Sequence, residues 1–245
     1  MDYLIFRLYG AMASWGEIAI GESRQSSSYP SKSAILGLLA AALGIRREEE
    51  TAHKRLGEIC RIAVKQVSAG NSMQDYHTTQ VPDSVGKFHY RTRRDEVVAG
   101  HSRLGTVLST REYRCGAIAW VAVRLESSDS WRLSDMQAAL LKPRFHLYLG
   151  RKSCPLAAPM EPKILQGAGF REVFSQFTCS DLSPYKLIGG NTKPVYFWEG
   201  EVSDFDSQLE ARHVQTLTRH DEPLSRKRWQ FKQRLEHCYL EGEAG

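Results

Sequence analysis

Over residues 3–8, Leu4, Phe6 and Leu8 interleave with Tyr3, Ile5 and Arg7. That period of two predicts a strand. Residues 10–29 carry glycines, serines and a lone Trp15 and read as a loop. Apolar residues then crowd from Ala34 to Leu43, too many for one stripe, so a helix buried nearly all round is predicted. Ser31 or Ser33 is placed to cap its first turn and Gly44 to stop it. β-Prone alternation returns at 59–67 and, most strongly, at 116–125. Leu133, Met136, Leu140 and Leu141 have helical spacing within 131–141, and 145–149 reads as a short strand ending at Gly150.

The order is β-α-β, an insertion, then β-α-β, which predicts an α+β fold with a ferredoxin-like core. The insertion spans 78–111, is polar, and contains Gly86, Lys87, Arg91, Arg93, Arg94 and Arg103. A projecting hairpin arm suits that length better than a loose loop. Beyond Pro155, glycines and prolines, among them Pro184, Gly189 and Gly190, punctuate short β-prone pieces such as 194–198. The expected division is a core at 1–152 that carries the arm, and a smaller β-rich domain at 153–245.

Composition narrows the class without naming it. Of the 245 residues, 42% are hydrophobic and 25% charged, which excludes a disordered or collagen-like chain. A net charge of +5 permits an anionic partner without demanding one. Cys60, Cys115, Cys154, Cys179 and Cys238 are odd in number and widely spread, with no Cys-x-x-Cys, so they read as small reduced hydrophobes. Met1-Asp2-Tyr3 offers no basic leader, and the longest apolar run, 34–45, falls short of the roughly 20 residues a membrane helix needs. A soluble cytoplasmic protein without a membrane segment is expected.

Candidate chemistry gathers in four places. Residues 142–152 hold Lys142, Arg144, Arg151 and Lys152, no acid, and interleaved Phe145, His146 and Tyr148. Basic groups neutralise phosphates and aromatic faces stack bases, so this run reads as a nucleic-acid contact. Ser31, Lys32 and Ser33 sit at a helix N-terminus, which suits either a phosphate or plain capping. Asp75-Tyr76-His77 resembles an acid–base pair but equally an ordinary hydrogen-bonding histidine. Residues 219–234, with Arg226-Lys227-Arg228, Trp229 and Phe231, suit an RNA-facing or a protein-facing edge alike. There is no phosphate-binding glycine loop, no nucleophile elbow and no metal-ligand spacing. No cofactor and no metal are therefore expected.

Several blocks resemble the CasD family of type I-E CRISPR Cascade subunits: 8–16, 29–39, 75–78, 110–115, 221–223 and, longest, 141–156. Ala11 stands where that family usually has proline, and 167–210 matches poorly. The resemblance implies a ferredoxin-like RNA-binding core, a thumb hairpin and a small C-terminal β domain. It implies a subunit that caps the 5′ handle of the guide RNA (crRNA). The thumb would meet the Cascade backbone subunit, another face would meet the large PAM-reading subunit, and target DNA would be met only through the complex. On that reading Ser31, Lys32, Ser33, Lys142, Arg144, Arg151 and Lys152 hold phosphates, and Trp15, Tyr29 or Tyr148 stack bases. Arg103, Arg111 and Arg114 hold RNA where the arm leaves the body, with His77 nearby. The competing readings are a metal-independent ribonuclease using His77, Tyr76 and Lys142, and a scaffold without RNA.

Overall fold

A computed structural model describes residues 1–19, 21–83, 89–126, 131–180 and 193–242. Gly86, Lys87, Pro184, Gly189 and Gly190 lie outside the described residues. The strands are β1 (Asp2–Tyr9), β2 (Met12–Ala13), β3 (Trp15–Gly16), β4 (Ser23–Arg24), β5 (Ser26–Ser27), β6 (Cys60–Ser68), β7 (Asn71–Pro82), β8 (Leu104–Cys115), β9 (Ile118–Leu125), β10 (Lys163–Gln166), β11 (Val195–Trp198), β12 (Gln215–Ser225) and β13 (Gln230–Leu240). The helices are α1 (Lys32–Leu43), α2 (Glu50–Ile59), α3 (Arg93–Val98), α4 (Leu133–Leu141), α5 (Phe170–Gln176) and α6 (Val202–Phe205).

The main sheet has seven strands in the order β10-β1-β9-β6-β11-β13-β12, each pair antiparallel. Its first four lie in the spatial order fourth, first, third, second, counted along the chain. Both faces are covered, so β1 is buried from Tyr3 to Leu8, and Tyr3, Leu4, Ile5 and Phe6 are all 0% exposed. Leu4, Phe6 and Leu8 face the core under α1, α2 and α4, whereas Tyr3 and Ile5 face the core under α5 and α6. Burying four large apolar residues of α1 against the sheet contributes on the order of 1.5–3 kcal/mol each.

Helix α1 forms where the sequence predicts it. The Ser31 hydroxyl accepts from Ala34 N–H, and Gly44 closes the helix in the left-handed region at φ 82°. Two expectations change. Residues 145–149 are not a strand: Leu147 and Leu149 are buried in alternation with exposed neighbours, but the backbone of this segment bonds elsewhere. Arg144 and Phe145 donate N–H groups to Ala42 and Ala41 carbonyls at 3.0 and 3.1 Å, which satisfies the free end of α1. The strand beside β1 is instead β10. The expected boundary at 152/153 is likewise no break in the sheet, because β10 to β13 all hydrogen-bond into it.

The arm is the antiparallel pair β7–β8, in register from Asn71↔Cys115 to Pro82↔Leu104 and longer than the expected 78–111. At its base β8 also pairs with β2 and β4. Helix α3, closed by a Thr92–Asp95 capping box, sits at its far end.

Candidate nucleic-acid interface

A groove of about 1560 Å³ runs between α1, the 145–152 loop, residues 14–19 and the β12–β13 hairpin. Its floor is the outer face of α1, where Gly37 leaves room for the Arg226 guanidinium. A β-carbon at that glycine would lie 3.1 Å from Arg226 Nη2, and Arg226 itself donates to the Ser33 carbonyl. The 145–152 loop is pinned from beneath by Leu147 and Leu149, and by bonds from Ser14 N–H to the Leu149 carbonyl (3.0 Å) and from Leu149 N–H to the Cys154 carbonyl (2.8 Å). With those leucines buried, Phe145, His146 and Tyr148 are left exposed into the groove.

The lining carries seven arginine or lysine side chains: Arg24, Arg46, Arg47, Arg151, Lys152, Arg219 and Arg226. Against them stand three carboxylates, Glu17, Glu48 and Asp221. Arg151 lies 5.0 Å from the Tyr113 ring centroid, and its buried Nη1 has no hydrogen-bond partner. A buried guanidinium nitrogen left unsatisfied is costly.

The N-terminus of α1 already has its anion. Asp221 accepts the Lys32 backbone N–H at 2.8 Å and is held by Arg234 at 2.6 and 3.0 Å. Burial pushes the Asp221 carboxyl up, but Arg234 and the Lys32 N–H outweigh it and keep its pKa below the ordinary value. The Lys32 side chain, 3% exposed, points inward and bridges Glu199 and Glu222 at 2.7 and 2.8 Å. The expected phosphate role of Lys32 therefore gives way to an internal ion-pair network. Ser31 is spent as the helix cap, within 3.0 Å of Ser33 Oγ, though both hydroxyl residues line the groove.

Two expected stacking residues are packing residues here. Trp15 is 4% exposed in the core. Tyr29 stacks on Phe197 at 3.6 Å and donates its hydroxyl to Glu236 at 2.5 Å, while burial and that carboxylate push its pKa far up. Tyr148, 36% exposed, keeps an open face on the groove. Lys142 and Arg144, just past the end of α4, are exposed but do not line the groove. On the arm, Arg114 sits at the base, bonded to the Ser26 carbonyl and 3.3 Å from Glu112, and Arg111 is exposed beside Arg24 in the β4–β8 register. Arg103 is not where the arm leaves the body. It precedes the twelve-residue β8 at the arm's far end, roughly 35–40 Å from the base. Tyr76 and His77 are adjacent on β7 and so point to opposite faces, with His77 paired to Asp75. Among the described residues no cluster of three metal-ligating side chains occurs. Cys60, Cys115, Cys154 and Cys238 form no disulfide with one another, and burial pushes the Cys60 thiol up to about 12.

Residues 3–235 match the family model described as CRISPR-associated protein (Cas_Cas5). The chain belongs to the Cas5 family. It is 31% identical over 242 residues, covering 95% of this chain and 93% of the relative, to the CRISPR system Cascade subunit CasD of Escherichia coli (strain K12). A solved chain described as a CRISPR RNA-guided surveillance complex matches with a TM-score of 0.63 at 21% identity, over 97% of this chain and 88% of that one. Another, described as the crystal structure of a Cas protein, gives 0.58 at 24% identity over 97% and 94%. These structures carry the fold: a mixed α/β molecule with mostly antiparallel sheets.

Several groove residues of this Cas5-family chain escape a reading of local sequence. Arg24, Arg46 and Arg47 are isolated from the main basic run and meet it only in the fold. Arg226, Trp229 and Phe231 were visible as a basic-aromatic segment, but only the β12–β13 pairing turns that segment toward α1. No described helix is long and apolar enough to cross a membrane.

Proposed function

We propose that this chain is a non-catalytic RNA-binding subunit of a type I-E CRISPR surveillance complex, holding the repeat-derived 5′ handle of the guide RNA in the groove over α1. The observation that carries this reading is the groove itself. It combines a net excess of guanidinium and ammonium groups with open aromatic side chains, in a chain similar to a Cascade subunit along nearly its whole length. Single-stranded RNA is held by such surfaces through phosphate neutralisation and base stacking. The fourth-first-third-second strand order supports reading β10, β1, β9 and β6 as a ferredoxin-like core with the arm inserted as a thumb. Arg111, beside Arg24, continues the basic strip toward the arm. The thumb would dock on the backbone subunit and another face on the large subunit, so target DNA is met only through the assembled complex.

The ribonuclease alternative needs an acid, a base and a charge stabiliser converging on one atom. Tyr76 and His77 on opposite strand faces do not supply that arrangement. Incubating the full chain with end-labelled repeat RNA in EDTA tests both readings. The handle is expected to be bound and recovered intact. Cleavage that disappears in His77→Ala overturns the non-catalytic reading, and absence of binding both alone and in the assembled complex overturns RNA binding.

A further inference from the structure

At one end of the groove, the four-residue turn 226–229 of the β12–β13 hairpin presents Trp229, which is 60% exposed. Its backbone lies at φ 57°, the left-handed region where a bulky residue is strained and glycine is the natural occupant. Nothing in the turn requires an indole there, and the hairpin would close more easily without one. The ring is nevertheless held in place. Arg47 and Arg226 lie 5.0 and 5.7 Å from its centroid, and Phe231 meets it edge-on at 5.6 Å.

The two guanidiniums are themselves unusual neighbours. Arg47 Nε donates to the Arg226 carbonyl at 3.0 Å, and Arg226 donates to the Ser33 carbonyl. Neither forms a carboxylate ion pair among the described residues, so two like charges share one partly buried corner without a counter-ion. A strained, exposed aromatic beside a pair of uncompensated cations has the two halves of a nucleotide subsite: a face for a base and a place for its phosphate.

We infer that Trp229, Arg47 and Arg226 form a subsite for one unstacked nucleotide of single-stranded RNA, its base stacked on the indole and its phosphate between the guanidiniums. This rests on the RNA-binding reading of the groove and adds a residue-level readout to it. Because stacking is tolerant of base identity, the subsite fixes register and not sequence.

The test uses the full chain and an oligouridylate of about eight nucleotides. One adenosine is placed at each position in turn, and a second series has an abasic site there. In the wild type, one position is expected to lose affinity about fivefold to a hundredfold when its base is removed. That loss should persist in Trp229→Phe and vanish in Trp229→Ala and Trp229→Gly. Trp229→Gly also relieves the backbone, so its thermal midpoint should not fall, which separates lost stacking from lost folding. RNA bound equally well by wild type and both truncations overturns the subsite, points Trp229 toward a protein partner, and leaves groove binding intact. No RNA binding by the wild type, alone and in the assembled complex, overturns the groove reading and the subsite together.

Discussion

Gly150 carries a hydrogen where any other residue would press a β-carbon deep into the Ser14 carbonyl, at φ 85°. Backbone, unlike a flexible side-chain tip, cannot yield cheaply, so Gly150→Ala must move the loop that holds Arg151 and Lys152. We expect it to cost about 2–4 kcal/mol in denaturant unfolding and to weaken RNA binding as the loop shifts. Gly16→Ala is the control within the same groove, because its β-carbon meets nothing within 4 Å. That variant should stay within about 0.5 kcal/mol of wild type. Equal stability of the two variants would show that the Gly150 turn does not anchor the loop. At this scale the sequence was a poor guide to exposure. Trp15, Tyr29 and Lys32 have the right chemistry for RNA, yet their partners (Ser26, Phe197 and Glu199 among them) come from elsewhere in the chain and bury them.

Elements whose reasons are local were legible: α1 announces its own cap and stop, and β1 and β9 their own alternation. The segment 145–149 was not, because alternation reports burial and not hydrogen-bond partners. Its partners are the carbonyls at the end of α1. The join between α1 and the β12–β13 hairpin was equally hidden. Lys32 binds Glu199 and Glu222, Asp221 accepts the Lys32 N–H and Arg234, and Glu236 takes Arg234 and Tyr29. This network sets the hairpin against α1 and so determines the width of the groove. Lys32→Met is expected to cost about 3–5 kcal/mol, since it leaves Glu199 buried without its cation. Burial already raises the Glu199 pKa and Lys32 opposes that rise. A raised carboxyl contributes stability below its ordinary pKa that is lost as pH climbs through the folded value. The deficit of Lys32→Met should therefore be larger at pH 8 than at pH 5, with Glu199→Gln recovering part of it. A deficit independent of pH would place the cost in packing and not in the stranded charge.

Across the whole molecule, the charge of +5 looks too small to direct anything. The groove lining, however, holds seven cationic side chains and three carboxylates, a net of +4, which leaves the rest of the chain close to neutral. That distribution suits a protein that grips a short piece of RNA and gives its other surfaces to protein neighbours. It also fixes how binding should respond to salt. Each phosphate neutralised on a single strand contributes about −0.7 to the slope of log K against log salt. Removing two contacts with Arg151→Ala and Lys152→Ala should thus flatten the slope by about 1.4, whatever the RNA sequence. Arg103→Ala, at the far end of the arm, should leave the slope of the isolated chain unchanged. If instead Arg103→Ala flattened it and the loop pair did not, the RNA would run along the arm, and the groove over α1 would have to be assigned to something else.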